Sequence, residues 1–193
     1  AYSERIRSDL GGFSDRVPCF VEVSQEAWLH FFTLFILIRS TSIQEICVTI
    51  AVLSDIHGNN AALEAILENI QRHHVDRIVV AGDIIGGPEP NKTIELIRDA
   101  SDFVIRGNQE QYLCDQLDDP DKFQGVRWAL VRAINRRIAP GNIGYLMSLP
   151  KTISMSSNGH DILIAHSTIE STNEVFFPEQ DETRTRGIVG SVG

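Results

Sequence analysis

The sequence predicts an α/β fold built on a parallel sheet, and three observations carry that prediction. Short apolar, β-branched runs at 47–54, 77–82 and 102–108 alternate with amphipathic stretches of helical period at 60–74 and 91–100. Strand, helix, strand, helix, strand in that order implies parallel pairing through right-handed crossovers, with helices on at least one face of the sheet. Each run also ends in polar residues, "SDIHGN", "GDIIGG" and "RGNQE" in turn. In a parallel sheet the carboxyl ends of the strands share one edge, and ligands bind there.

Each element has its own justification. "CVTIAVLS" (47–54) is nearly all apolar, as a strand buried on both faces must be. "NAALEAILENIQRHH" (60–74) sets Leu63, Ile66, Leu67 and Ile70 at helical spacing, with Asn59 or Asn60 as N-cap. "RIVVAG" (77–82) reads as a strand, "NKTIELIRDA" (91–100) as a helix entered through Pro88 and Pro90, and "DFVIRGN" (102–108) as another strand. "QEQYLCDQL" (109–117) and "VRWALVRAINRRI" (126–138) are expected to be helical, the latter through the four-residue step Val126, Leu130, Ile134, Ile138. "KTISMSS" (151–157) and "DILIAHS" (161–167) flank Asn158 and Gly159, a hairpin signal that adds an antiparallel element.

Residues 1–45 lack this alternation and are read as an appendage, with residues 46–193 as the domain. Within the appendage "AWLHFFTLFILI" (27–38) is only 12 residues long, against about 20 for a membrane span. It is read first as an extra packed helix or strand, with an unstructured segment or a targeting element as alternatives. Glu22 and Glu26 stand where a signal peptide would carry positive charge. The chain starts at Ala1 and its first methionine is Met147, which is read as an N-terminally incomplete or processed product.

Hydrophobic residues make up 42% and charged residues 22% of 193, the balance of an ordinary folded domain. A formal net charge of −9 argues against a broad nucleic-acid-binding surface, because such surfaces neutralise phosphates with Lys and Arg. Cys19, Cys47 and Cys114 form neither a disulfide framework nor a zinc ribbon, and a reducing cytoplasm is expected.

The strand-end rule gathers Asp55, His57, Asp83 and Asn108 in one crevice, and His166, closing "DILIAHS", is a further candidate for the same edge. Carboxylates and imidazoles joined by an amide oxygen suit Mn, Fe, Zn or Co better than Ca. Asp55 and His57, two apart on a turning loop, can share one ion, and a carboxylate such as Asp83 can bridge two. A pair of such cations about 3.5–4 Å apart can hold a phosphate and activate a water for in-line attack. A lone histidine at a strand end is often merely hydrogen-bonded, so His166 stands or falls with the rest of the group. His73 and His74 read as a helix end, and Arg127, Arg132, Arg136 and Arg137 as a solvated face.

"DIHGN", then "GD", then "GNQE", followed by "LPKTISM" and "ILIAHS", resembles the calcineurin-like metallophosphoesterases of the small bacterial type. Their blocks run D-x-H, G-D, G-N-H-[DE], a later His, and G-H-x-H. The resemblance covers roughly 47–170 and implies an αββα sandwich, incomplete here in its second sheet. It implies two divalent metal ions, with Asp55 and His57 on the first, Asp83 bridging, and Asn108 and His166 on the second. It implies hydrolysis of phosphomonoesters or phosphodiesters by a metal-bound hydroxide, with Asn108 touching the phosphate of a small phosphorylated substrate. Two departures stand out. Gln109 occupies the position of the family's leaving-group His, and an amide cannot act as a general acid as imidazole does. No histidine lies beyond His166, so the G-H-x-H block is missing and a shortened C-terminus is the expectation. The alternative is a catalytically impaired member of the family that serves as a binding or scaffold protein.

Overall fold

The computed structural model describes the backbone of residues 3–5, 19–25 and 34–40, and residues 48–157, 160–168 and 171–173. Its main sheet contains β1 (Ser3–Arg5), β2 (Cys19–Gln25), β3 (Leu34–Ser40), β4 (Thr49–Ser54), β5 (Arg77–Val80) and β6 (Phe103–Val104), in that spatial order. The helices are α1 (Asn60–Gln71), α2 (Pro90–Ala100), α3 (Asn108–Asp118), α4 (Ala129–Asn135) and α5 (Pro140–Ser148). The chain then forms a two-stranded antiparallel sheet of β7 (Thr152–Ser157) and β8 (His160–Ala165).

The predicted alternation holds. β4 pairs parallel with β5 (Ile50↔Arg77 to Leu53↔Val80) and β5 with β6 (Val79↔Phe103, Val80↔Val104). α1 and α2 make the two crossovers. Asn59 caps α1 by accepting the Ala62 N–H at 3.1 Å, and Pro90 opens α2, where a missing N–H costs nothing. Strands covered on both faces must be apolar on both. Ala51, Leu53 and Val80 pack with Leu63, Ile70, Ile94, Ile97, Leu113 and Leu146 on the helical side. Ile50, Val79 and Ala81 pack with Ile105 and Ile164 on the side of the hairpin. The described residues thus form helix, sheet and sheet layers of the expected sandwich. Each fully buried Leu or Ile of these two clusters contributes about 1.5–3 kcal/mol.

Several expectations are corrected in detail. β6 is two residues long, not seven: the Arg106 N–H turns to Pro150 O at 2.7 Å and leaves β5, and α3 starts at Asn108. The stretch 126–138 is not one helix. It begins as a 3₁₀ turn at Val126–Trp128 and ends its α-helical part at Asn135, because Pro140 holds Ala139 extended at ψ 145°. Only Ile134 and Ile138 of its four-residue step are buried, whereas Val126 and Leu130 are 92% and 69% exposed. Of the arginines read as a solvated face, Arg136 and Arg137 are exposed, whereas Arg132 is half-buried and donates to Gly125 O at 3.1 Å. α5, with two glycines and no clean period, was not foreseen. In the stretch read as an appendage, β2 and β3 pair antiparallel along seven residues each, and β3 pairs with β4 from Leu34↔Ser54 to Arg39↔Thr49. That gives part of "AWLHFFTLFILI" a strand. The expected turn at Asn158 and Gly159 lies outside the described residues, between the paired ends Ser157 and His160.

Candidate metal centre

The carboxyl ends of β4, β5 and β6 and the end of β8 meet at one rim. There Asp55, His57 and Asp83 adopt φ of 58°, 50° and 54°, and Ser167, next to His166, adopts 80°. Left-handed backbone is uncommon for such residues and costs of order 1 kcal/mol or more at each. Hydrogen bonds hold the loops there: His57 N donates to Asp83 O at 2.9 Å, Gly58 N to Ile84 O at 2.8 Å, and Asp55 N to Gly82 O at 3.2 Å. The second loop is also pressed on the third. A Cβ on Gly82, itself at φ 89°, would lie 2.6 Å from both N and Cα of Gly107.

All five residues expected as metal ligands come together. Ligand atoms of Asp55, Asp83 and His166 lie within 4.8 Å of one another. His57 Nε2 is 3.7 Å from Asp55 Oδ1 and 3.7 Å from Asp83 Oδ2, and His166 Nε2 is 3.6 Å from Asp83 Oδ1. These separations exceed hydrogen-bond length. Asn108 Oδ1 lies 3.1 Å from His166 Nε2. The Asp83 side chain is 4% exposed and that of Asp55 40%, so the group opens to solvent on the Asp55 side.

The backbone decides which ring nitrogens face inward. His166 Nδ1 is 2.7 Å from Ala81 O, and His57 Nδ1 is 3.2 Å from Ile85 O. A carbonyl only accepts, so each Nδ1 carries a proton and each Nε2 is the ring atom turned toward the carboxylates, the atom a cation would take. The Asn108 amide faces Asp83 and His166: without a cation its nitrogen side donates to Asp83 Oδ2 and His166 Nε2 at 3.1 Å each while its oxygen accepts from Gln109, and turning the amide over presents the oxygen to a cation instead. Two carboxylates and two imidazoles converging on one volume are a donor set that a cation suits, and the mixture of N and O ligand atoms fits a transition-type divalent ion. Burial pushes the Asp83 carboxyl above its ordinary 3.8, against the Gln109 N–H, which holds it down.

Gln109 also sits at this rim. Its N–H donates to Asp83 Oδ1 at 2.9 Å, and its side chain lies over Gly86, where an added Cβ would come 3.2 Å from Gln109 Cγ and 2.9 Å from His57 Nδ1.

Sequence reasoning missed the residue that ties the loops together. Glu110 is fully buried, and its two oxygens accept four backbone N–H bonds: Asp83 at 3.0 Å, Ile84 at 2.9 Å, Ile85 at 3.0 Å and Gly107 at 2.9 Å. Burial and the Asp83 charge push its carboxyl upward, opposed by these donors. Four donors and no facing acceptor select the carboxylate form. The available signal was Gly107-x-x-Glu110, the spacing by which a third-position Glu reaches back to a helix start. Ser54 was missed as well; its hydroxyl donates to Asp55 Oδ2 at 2.6 Å and aims that carboxylate.

Comparison with known proteins agrees with this picture. Residues 48–183 match the calcineurin-like phosphoesterase family. An uncharacterized protein of Methanocaldococcus jannaschii is 32% identical over 135 residues, which cover 67% of this chain and 54% of that protein. The chain therefore spans about half the length of this curated relative. The crystal structure of a metallophosphoesterase from Sphaerobacter thermophilus superposes with a TM-score of 0.54 at 27% identity, covering 66% of this chain and 50% of the other. A hypothetical protein of Pyrococcus horikoshii, at 22% identity, shares the fold with a TM-score of 0.61 over 74% of this chain and 64% of its own. With the match running from the first parallel strand to beyond the hairpin, the chain belongs to the calcineurin-like phosphoesterase family.

Proposed function

We propose that this protein is a metal-dependent phosphoester hydrolase in which Asp55, His57, Asp83, Asn108 and His166 hold two divalent cations of the Mn, Fe, Zn or Co type. The observation that carries the reading is the convergence of metal-ligating atoms on one volume: two imidazole Nε2 atoms, turned inward because each Nδ1 donates to Ala81 O or Ile85 O, face the Asp83 carboxylate at 3.6 and 3.7 Å. Asp83, buried between both histidines, would be the carboxylate placed to serve both cations. When bound, the cations supply charge that holds a phosphoryl group and lowers the pKa of the attacking water.

The chain's own residues do the rest. Ser54 and Glu110 fix the loops so that no side chain need reorganise during the reaction. Asn108, half-exposed at the start of α3, is placed to contact a phosphoryl oxygen of a small substrate. Gln109 occupies the rim beside His57 and cannot deliver a proton as an acid does, so the leaving group departs as its own anion. Esters of acidic alcohols, such as nitrophenyl esters, are therefore the better substrates. Substituting Asp83→Asn is expected to abolish both uptake of Mn²⁺ and hydrolysis; unchanged turnover would remove this mechanism.

Gln109 also favours a second reading, a non-catalytic binding or scaffold protein on the same fold. The purified chain with Mn²⁺ and p-nitrophenyl or bis-p-nitrophenyl phosphate separates the two: turnover above that of Asp55→Ala excludes the scaffold. We take residues 46–193 as the phosphoesterase domain and residues 1–45 as an appendage of unknown role, whose strands β1, β2 and β3 add to the main sheet. Among the described residues no helix is long and apolar enough to cross a membrane. Together with the buried free thiol of Cys114, the cysteine usage supports a reducing cytoplasm as its location.

A further inference from the structure

We propose that Ser54 decides which cations the cluster accepts, by holding one oxygen of Asp55 so that only the other is offered as a ligand. This rests on the metal-dependent reading above and deepens it, since it names the residue that turns the site away from large cations.

The position begins with the strand. "TIAVLS" is apolar except at its two ends, and Ser54, the last residue of β4, is buried. A hydroxyl at the covered end of such a strand needs a partner. The backbone on either side of it is fixed: Ala81 N donates to Leu53 O at 2.7 Å and Asp55 N to Gly82 O at 3.2 Å, so paired backbone brackets Ser54. From there its Oγ lies 2.6 Å from Asp55 Oδ2 and 3.3 Å from Ala81 O. A hydroxyl has one proton, and the shorter approach to a charged acceptor takes it. Asp55 Oδ2 is thereby occupied. Oδ1 is the oxygen that faces His57 Nε2, at 3.7 Å.

The consequence is a short supply of ligand atoms. Asp55 offers one oxygen, and Asp83 Oδ1 already accepts the Gln109 N–H at 2.9 Å. His57 and His166 offer one nitrogen each, and Asn108 one oxygen once its amide is turned over. Ca²⁺ takes about six to eight oxygens, commonly both of one carboxylate, whereas a smaller ion of the Mn, Fe, Zn or Co type needs fewer ligands and accepts imidazole nitrogen. An Asp55 free to turn both oxygens inward would be the simplest way for this cluster to suit Ca²⁺. Burial does not prevent that turn, because the Asp55 side chain is the open one of the two carboxylates, 40% exposed against 4% for Asp83. The restraint is the Ser54 hydroxyl.

The test titrates the chelator-treated full chain with Mn²⁺ and with Ca²⁺ in a calorimeter and reads the ratio of the two dissociation constants. The wild type should favour Mn²⁺. Ser54→Ala should weaken Mn²⁺ on the order of tenfold, as loss of a hydrogen bond behind a metal ligand does, and leave Ca²⁺ unchanged or tighter, so that the preference falls by at least as much. Ser54→Thr, which keeps the hydroxyl, should stay close to the wild-type ratio. A residue with a merely structural role would not move that ratio, because a loosened fold weakens both ions alike. An unchanged ratio in Ser54→Ala, equal loss of both ions included, overturns the assignment to Ser54, and so does the same fall in Ser54→Thr. A wild type that takes Ca²⁺ as tightly as Mn²⁺ overturns it too, and all three results leave the phosphoesterase reading standing. A wild type that binds neither ion overturns both.

Discussion

Replacing Glu110 by Gln tests whether the metal-bearing loops are held by one buried carboxylate. Glu110 accepts four backbone N–H bonds, two on each oxygen. A glutamine in the same place keeps one accepting oxygen and turns an NH₂ group toward the other two donors. Two buried N–H groups then lose their partners, at about 1–3 kcal/mol each, for a loss of roughly 2–6 kcal/mol. At about 2–4 °C per kcal/mol for a domain of this size, the melting temperature should fall by roughly 4–24 °C. The assay is thermal unfolding followed by far-ultraviolet circular dichroism with chelator present, beside Glu64→Gln as control. Glu64 pairs with the exposed Lys92 at 2.8 Å, and its replacement should leave the melting temperature nearly unchanged, because solvent screens such a pair. Mn²⁺ affinity should fall with Glu110→Gln, because Gly107 and residues 83–85 are no longer tied to one another. A Glu110→Gln protein that melts within 2 °C of wild type, by the roughly 2–4 °C per kcal/mol above, would refute the reasoning.

Other outcomes follow from the same geometry. Gly82→Ala should destabilise the fold by roughly 2–4 kcal/mol in urea titration, because its Cβ would meet the backbone of Gly107 at 2.6 Å and the φ of 89° suits only glycine. Gln109→His should raise the turnover of alkyl phosphates more than that of p-nitrophenyl phosphate, since only poor leaving groups need the proton; equal gains would count against the assignment of Gln109. In the metal-free protein the Asp83 carboxyl lies above its ordinary 3.8, chiefly through burial, so its folded form binds more protons than the unfolded chain in the interval above that value. Its contribution to stability is full below the unfolded pKa and is lost as pH rises through the raised folded one. Chelated wild type should therefore lose stability relative to chelated Asp83→Asn as pH increases across that interval, and a difference of opposite slope would contradict the burial argument.

The candidate site was legible in the sequence to the extent that it is local. Asp55, His57, Asp83 and Asn108 each follow a recognisable strand, and parallel pairing alone sends such residues to one edge. His166 closes a strand of the other sheet, so its strand-end position made it a candidate for the same edge and only its role as a ligand came from the family resemblance. The contacts that make the cluster rigid were not legible. Glu110 serves loops 25–27 positions away through its oxygens, and nothing in its neighbourhood announces those partners. The tautomers of His57 and His166 are set by the carbonyls of Ile85 and Ala81, which are apolar residues by type.

The sequence by itself determined the parallel core, because β-branched apolar runs and helical periods are properties of consecutive residues, and the polar strand ends are written beside them. Tertiary structure decided the rest. Pro140 and Gly125 broke 126–138 into shorter pieces and left Val126 and Leu130 in solvent, although the apolar step is continuous in the chain. The partners of β2 and β3, like the close approach of Gly82 to Gly107, depend on which surfaces meet after folding, and no pattern within a single segment encodes that.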